Sequence, residues 1–488
     1  MHLQDIYIEN AADRGSDPAI TYTVPPFEGL TLTWNDLIER SEALAEDLSS
    51  TGIRPGSRVG TVLSDHPNTM PALLAMWRLD AIPVLIDPEW GESIRDGVLS
   101  HSRADAIVAV DERLAAESIA GVTYDDRPEL PPGTAILAYT SGSTAAPKGI
   151  PIQHDRLVAA LFSSAAKVSA FRGDAPRRFG SSMRLSGAGV LALHYAWSAA
   201  FGAEVVVLPQ LIDIATARTY WDDLARNEID QTVLVPPLYE LLMAVSQPGE
   251  SQQRPLFINA SGALSEATHS RFMERFEAPV LNCYGLTETT FACMIGDTDQ
   301  RGTSSVAVGR PDLVKIRLCN EDGTVVDGPG EGEIEVRGPS ISDGYYDNSE
   351  ANANLFSGPW MRTGDLARRD GTGKYWIVGR QKDAVMKGGT TVYLNEVEEA
   401  CVALEGVLEA VAVRVDLPGG IEDLAVIVRP VDGFAADSGQ LKAALDHTLG
   451  ASRAPRSVVV TDRVLPRIGQ NKIDRRSSQA LWSELTGK

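Results

Sequence analysis

The segment Ala138-Tyr139-Thr140-Ser141-Gly142-Ser143-Thr144-Ala145-Ala146-Pro147-Lys148-Gly149 crowds hydroxyls, small residues and one lysine into a single sharp turn. Such a turn is suited to hold phosphate: successive backbone N–H groups can converge on an anion, Thr140, Ser141, Ser143 and Thr144 add hydroxyl donors, and Lys148 adds charge. The P-loop spacing G-x-x-x-x-G-K-[ST] is not met, because Pro147 precedes Lys148 and Gly149 follows it, so this is a different kind of nucleotide loop. Taken alone, the segment is equally readable as a polar surface turn. Four further clusters stand far apart in the chain: Tyr284-Gly285-Leu286-Thr287-Glu288, Arg362-Thr363-Gly364-Asp365, Gly379-Arg380-Gln381-Lys382-Asp383 and Gly469-Gln470-Asn471-Lys472-Ile473-Asp474. Each by itself has a plain explanation: a helix start at Thr287 and Glu288, a turn at Asp365, a surface charge at Arg380, and a solvated basic tail of Lys472, Arg475 and Arg476.

Positioning these groups falls to alternating elements. The apolar run Ala135 to Tyr139 leads into the loop as a strand, and an amphipathic helix opens at Asp155. Upstream, helical patterns at Asp36 to Ser50 and Thr69 to Leu79 alternate with strands at Arg58 to Leu63 and Ile82 to Ile86. Downstream, strands at Glu204 to Leu208 and Thr232 to Val235 alternate with helices at Ala215 to Asn227 and Pro237 to Ser246. That alternation predicts two wound α/β subdomains with parallel sheets. Past residue 305 the texture becomes glycine-punctuated β segments, Leu313 to Leu318, Gly332 to Arg337 and Lys374 to Val378, which predict a small antiparallel barrel or sandwich. From residue 380 onward, helices at Leu394 to Leu404 and Ser438 to Leu449 flank strands at Ala410 to Val415 and Leu424 to Val428, a small α+β domain.

At 488 residues the chain exceeds one core, and its 43% hydrophobic and 23% charged residues suit a globular protein of two or more domains. A net charge of -22 opposes binding to nucleic acid or anionic membrane, so an anionic ligand needs a local basic pocket. The four cysteines, Cys283, Cys293, Cys319 and Cys401, show neither a C-x-x-C pair nor zinc-ligand spacing and are expected to be buried thiols. The first fourteen residues carry acids and no apolar h-region, so no secretion signal is expected and residence is expected to be cytoplasmic. Val190 to Leu208 contains His194 and Glu204 and reads as a buried helix running into a strand.

Taken in order, the clusters closely resemble the adenylate-forming superfamily of acyl- and aryl-CoA ligases, peptide-synthetase adenylation domains and beetle luciferases. Supporting segments match as well: Gly332-Glu333-Ile334-Glu335-Val336-Arg337-Gly338-Pro339 ahead of Gly344-Tyr345-Tyr346, and Ala260-Ser261-Gly262-Ala263 ahead of the tyrosine cluster. The resemblance spans nearly the whole chain. It implies an N-terminal core domain over residues 1–379 and a mobile C-terminal domain over 380–488, with the site between them. It also implies a two-step reaction in which a carboxylate and MgATP give an acyl-adenylate and pyrophosphate, and a thiol then displaces AMP. On that basis Thr140, Ser141, Gly142, Ser143, Thr144 and Lys148 hold phosphate. Ser261, Gly262, Ala263, Tyr284 and Gly285 line the nucleotide, Tyr284 offering its face to adenine. Thr287 reaches the α-phosphate, Glu288 is the magnesium ligand, and Asp365 accepts the ribose hydroxyls with Arg380 in support. Lys472 stabilises charge during adenylation, Lys382 is the hinge, and Gly388 and Gly389 let a pantetheine arm pass close to backbone.

Two positions depart from the family pattern: Ala145 and Asn471 replace glycines. If Ala145 takes positive φ, the strain is on the order of 1–2 kcal/mol, which slows adenylation about tenfold without abolishing it. The expected function is therefore an AMP-forming ligase joining a bulky apolar or aromatic carboxylic acid to CoA. The alternatives are a ligase that mainly converts a preformed acyl-adenylate, a stand-alone enzyme loading a carrier protein, and a non-catalytic nucleotide- or acyl-binding homologue. Amino-acid-activating relatives carry an aspartate after phenylalanine, where Phe179-Gly180-Ser181-Ser182 has Gly180, and the small residues from Ser181 to Gly189 suggest a roomy acyl pocket. Arg184 is expected in an ordinary surface pair and His194 in the core.

Overall fold

The computed structural model describes residues 1–110, 116–118, 127–140, 147–247, 249, 254–291, 293–296, 307–311, 313–417, 421–431, 433–468 and 472–487. Among them, nine strands form one sheet in the order Arg310–Pro311, Met294–Ile295, Val280–Tyr284, Leu256–Asn259, Gln231–Leu234, Arg178–Ser181, Glu204–Val207, Pro18–Tyr22, Thr31–Thr33. The six inner strands, Val280–Tyr284 through Pro18–Tyr22, run parallel, and the edges are antiparallel. Parallel strands need apolar cover on both faces. Alternate residues supply it: Phe179, Val205, Val233, Ile258 and Leu281 pack into one core, while Val206, Leu234, Phe257 and Val280 pack against Trp221, Tyr239, Phe272 and Phe276 in another.

A second sheet orders its described strands Ala116–Ser118, Ala106–Ala109, Arg58–Val62, Ile82–Ile86, Thr134–Thr140, Lys148–Gln153. Its four central strands are parallel, and the last two form a hairpin in which Thr140 and Lys148 are register partners. Both ends of the hydroxyl-rich loop are thereby held side by side. Residues 141–146 lie outside the described residues, so the expectations for Ser141, Gly142, Ser143, Thr144 and Ala145 stand on sequence alone.

The small barrel expected beyond residue 305 takes a different form. Among the described residues, Lys315–Cys319, Gly330–Arg337 and Trp360–Arg369 pair in that order as an open antiparallel sheet, with Phe356–Ser357 and Tyr375–Arg380 both on the outer edge of Trp360–Arg369. One long strand therefore serves two partners end to end instead of closing a ring. The predicted helix at Val190 also differs in detail: Leu191–Ala196 is a π-helical turn between Ala188–Val190 and Trp197–Phe201. His194 lies in it, 1% exposed, its Nδ1 2.8 Å from Ser181 Oγ. The four cysteines are buried and free.

After Arg380 come the hairpin Ala384–Lys387/Thr390–Tyr393, the helix Leu394–Val402, a sheet of Val407–Leu417, Ile421–Pro430 and Val458–Val460, and the helices Ser438–Leu449 and Arg475–Thr486. This smaller C-terminal domain keeps its own cores, one around Val397, Ala412 and Val426 and one around Val411, Ile427 and Trp482, and neither draws a residue from before Arg380. No helix among the described residues is long and apolar enough to cross a membrane.

Candidate active site

Tyr284 ends the inner strand Val280–Tyr284 and is 7% exposed. Its hydroxyl donates to Asp365 Oδ2 at 2.8 Å. Asp365 comes from the long strand of the third sheet, where Arg380 is its register partner on the neighbouring strand, and Arg380 Nε lies 2.9 Å from Asp365 Oδ1. The irregularity in the strand that aims Asp365 is fixed locally. Thr363 Oγ1 donates to the Ile334 carbonyl at 2.8 Å and accepts from Asp365 N at 3.1 Å, while Gly364 takes φ +70°, a conformation in which only glycine is unstrained. Burial pushes the Asp365 carboxyl upward, and Arg380 and the Tyr284 hydroxyl pull it back towards the ionised form. Asp365 in turn raises Arg380 above its ordinary value.

Glu288 sits on the short helical turn Thr287–Thr289 that follows the Tyr284 strand. Its Oε1 accepts the Tyr345 hydroxyl at 2.7 Å, and the ammonium of Lys148 stands 4.6 Å from the centroid of the same tyrosine ring. Lys148, from the strand after the hydroxyl-rich loop, and the acidic Glu288 thus approach one side chain. Burial raises both the Asp365 carboxyl and the Tyr345 hydroxyl, Glu288 adds to both rises and Arg380 opposes both, so this group and the Tyr284–Asp365–Arg380 group share one field. Burial lowers the Lys382 amine, with Arg380 adding to the effect.

The remaining expected residues fall in stated places. Ser261, Gly262 and Ala263 follow the strand Leu256–Asn259 and are exposed, with Ser261 at φ +65°. A Cβ at Gly262 would stand 3.1 Å from Pro236 Cγ, a tight contact. Gly285 links Tyr284 to the Thr287 turn, and Thr287 is half-buried. Gly388 and Gly389 form the two-residue tip of the hairpin, φ +54° and +86°, between the paired residues Lys387 and Thr390. The turn itself accounts for both glycines, because a tip with two positive φ values favours them. Lys472 lies on the strand Lys472–Ile473, paired with Arg467–Ile468, and its side chain and Asn471 are outside the described residues.

Gly180 does not open a pocket. A Cβ there would meet Ile229 Cγ2 at 2.9 Å and Leu208 Cδ1 at 3.0 Å, so the position is closed by packing. Ser181, Ser182 and Ser186 are likewise buried, while Gly187, Ala188 and Gly189 remain half-buried. The segment is fastened by Asp65, whose Oδ1 accepts from Leu185 N at 2.8 Å and whose Oδ2 accepts from Gln210 Nε2 at 3.1 Å. Arg184 pairs with Glu89 at 3.5 Å across the surface.

Sequence reasoning gave no role to Tyr345, although it sits in a quoted segment, nor to the buried amides Asn259 and Asn282. These two are register partners on neighbouring strands, Asn282 two residues before Tyr284, joined by an Asn259 Nδ2 to Asn282 Oδ1 bond of 2.9 Å. Asn259 Oδ1 and Asn282 Nδ2 are buried without a protein partner, an acceptor at the carboxyl end of its strand and a donor two residues before the end of the next. A ligand crevice in a wound sheet opens at such strand ends.

The family model described as AMP-binding enzyme matches residues 8–346. A feruloyl-CoA synthase from Amycolatopsis sp is 29% identical over 476 residues, covering 91% of this chain and 93% of the relative. An oxalate–CoA ligase from Arabidopsis thaliana is 26% identical over 505 residues, covering 96% of each. Among solved structures, the anthranilate CoA ligase AuaEII in complex with anthranoyl-AMP superposes with a TM-score of 0.82 at 20% identity, over 99% of this chain and 98% of that one. At that identity the likeness establishes the fold.

Proposed function

The chain belongs to the AMP-binding enzyme family, as an adenylate-forming enzyme of the acyl- and aryl-CoA ligase type, and from that premise we propose that it joins a carboxylic acid with a sizeable apolar or aromatic body to the thiol of CoA. The acid's carboxylate attacks the α-phosphorus of ATP, pyrophosphate leaves, and the thiol sulfur then attacks the acyl carbon and expels AMP. The observation that carries this reading is the convergence of Tyr284, Asp365 and Arg380, drawn from three separate strands, beside Glu288 and Lys148.

Asp365 holds the ribose: its carboxylate oxygens have lone pairs beyond those engaged by Tyr284 and Arg380, and vicinal hydroxyls can donate to them. Tyr284 supports adenine from the strand end, with Ser261, Gly262, Ala263 and Gly285 alongside, and the Asn259–Asn282 amides offer one acceptor and one donor to the base. Thr287 donates to the α-phosphate. Thr140, Lys148 and the loop between them take the outer phosphates. Glu288 suits magnesium, because a carboxylate presents four acceptor sites of which Tyr345 takes one, and this ion is commonly bound through one or two carboxylates plus phosphate oxygens. Magnesium, when bound, draws charge from the phosphate oxygens. Lys472 bridges the acid and the α-phosphate during the first step.

The C-terminal domain, residues 380–488, turns about Lys382 between the two steps, exchanging the Lys472 face for the Gly388–Gly389 hairpin. The separate cores on either side of Arg380 support that motion. At the junction Asn395 Nδ2 donates to the Val378 carbonyl at 2.9 Å, and a contact of this kind breaks at little cost. The acyl body lies along the half-buried Met183, Gly187, Ala188 and Gly189. The relatives' named acids run from feruloyl to oxalate, and the half-buried small and apolar residues Met183, Gly187, Ala188 and Gly189 favour the larger, apolar end.

Product mass spectrometry with a carboxylic-acid panel, ATP, magnesium and CoA tests the proposal. Thioesters of aromatic or long apolar acids support it; thioesters of small dicarboxylates alone reject the substrate class. Running free acid with ATP against synthetic acyl-adenylate with CoA tests adenylation, and a holo-carrier protein in place of CoA tests the acceptor.

A further inference from the structure

Tyr345 stands between the two oppositely charged groups on which the phosphate end of the site depends. Its hydroxyl donates to Glu288 Oε1 at 2.7 Å, and its ring lies 4.6 Å from the Lys148 ammonium. The backbone around it is held from several directions. Ser342 N donates to the Glu288 carbonyl at 2.8 Å, and Tyr346 N donates to the Gly149 carbonyl at 2.7 Å. The Asn352 side chain clamps Tyr345 itself, accepting from its N–H at 2.7 Å and donating to its carbonyl at 2.8 Å. Gly344 makes this clamp possible: it takes φ +114°, and a Cβ there would fall 2.6 Å from Asn352 Oδ1. Residues 342–346 therefore form a rigid bridge from the acidic turn to the foot of the phosphate loop.

We propose that Tyr345 is a positioning residue that keeps Lys148 and Glu288 from pairing with each other, so that the lysine stays available to phosphate and the carboxylate to the metal. A lysine ammonium and a carboxylate at contact distance attract strongly in a partly buried site, and a closed pair would take both out of use. The tyrosine gives each ion a weaker partner, a π face for the ammonium and one hydroxyl for the carboxylate, and both can be exchanged for a stronger ligand. This inference rests on the roles proposed above for Glu288 and Lys148.

The test measures Mn2+ affinity at saturating ATP by electron paramagnetic resonance, and AMP affinity in metal-free buffer by calorimetry. Tyr345→Leu is expected to weaken Mn2+ binding about tenfold, and Tyr345→Phe less, as for other residues that orient a metal ligand. AMP affinity stays within about twofold in both, because Tyr284 and Asp365 are untouched. Adding Lys148→Met to Tyr345→Leu restores part of the Mn2+ affinity, since no ammonium remains to close on Glu288, and in a Glu288→Gln background Tyr345→Leu has little further effect. Unchanged Mn2+ affinity in Tyr345→Leu, no recovery with Lys148→Met, or loss of AMP affinity in parallel each overturns the proposal. A wild-type protein that binds no AMP overturns the nucleotide reading itself, and this inference with it.

Discussion

Replacing Asp365 with asparagine probes the proposed ribose contact with almost no change of shape. The wild-type carboxylate is buried, 4% exposed, with Tyr284 on one oxygen and Arg380 on the other. Asparagine keeps one acceptor oxygen, substitutes an amide donor for the second, and removes the charge. Hydrogen bonds to an ionised acceptor contribute about 1.5–3 kcal/mol and neutral ones about 0.5–1.5 kcal/mol, so each ribose hydroxyl loses about 1–1.5 kcal/mol. For two hydroxyls the sum is about 2.5 kcal/mol, or roughly 70-fold in the dissociation constant for AMP. Arg380, with 46% of its side chain exposed, returns to water when its partner is neutralised, which limits the cost to folding. Titration calorimetry with AMP, 2′-deoxy-AMP and 3′-deoxy-AMP reads the effect: removing either hydroxyl should weaken binding to the wild type clearly and to Asp365→Asn only slightly. If Asp365→Asn binds AMP within about threefold of wild type, or both proteins lose equally to the deoxy analogues, Asp365 does not hold the ribose.

Three further expectations follow from particular groups. Lys472→Ala is expected to lower turnover of free acid with ATP by about 10²–10³ while sparing conversion of synthetic acyl-adenylate with CoA, because the role proposed for it needs its charge in the first step only; equal losses in both assays would reject that division. Tyr346→Phe removes the hydroxyl that accepts from Arg58 Nη1 at 2.6 Å, where Arg58 is 3% exposed, and should cost about 1.5–3 kcal/mol in urea unfolding with the ring contact retained. Burial, together with Glu398 and Glu396, pushes the Glu399 carboxyl from 4.5 up to about 7. With the folded value raised, its contribution to stability is whole below the unfolded value and is lost as pH rises through about 7, so Glu399→Gln should raise the unfolding temperature at pH 8 and change it little at pH 4. An equal gain at both pH values would show that Glu399 is not the group responsible.

The sequence was legible where a pattern is local and bounded. The strand Ile82–Ile86 and the helix Ser438–Leu449 have the expected ends, since Ala81 and Asp87 bracket an apolar run and Gly450 stops the helix. The clusters of chemical residues were legible as types in order, and Tyr284, Asp365, Arg380 and Glu288 do meet. What the sequence hid was non-local. Strand order places Arg178–Ser181 between Gln231–Leu234 and Glu204–Val207, an arrangement no periodicity reports. The third sheet was expected as a barrel or sandwich because glycine-rich β segments look alike in barrels, sandwiches and open sheets, and only pairing along Trp360–Arg369 separates them. The small residues from Ser181 to Gly189 suggested a roomy pocket, yet Ser181, Ser182 and Ser186 are packed inside and only Gly187, Ala188 and Gly189 are half-buried. Tyr345 was silent because its partners, Glu288 and Lys148, are supplied by distant parts of the chain. The π-helical turn at Leu191–Ala196 differs from an α-helix by one residue in its hydrogen-bond spacing, which an apolar run cannot encode.

Isotope transfer addresses the central chemistry most directly. An acid from the panel that is turned over, labelled with oxygen-18 in its carboxylate, is incubated with ATP, magnesium and CoA, and the AMP is weighed by mass spectrometry. Attack of the carboxylate on the α-phosphorus leaves one labelled oxygen in AMP for each thioester formed, together with pyrophosphate. Unlabelled AMP, or label found in inorganic phosphate with ADP as co-product, would contradict an acyl-adenylate held by Tyr284, Asp365 and Arg380.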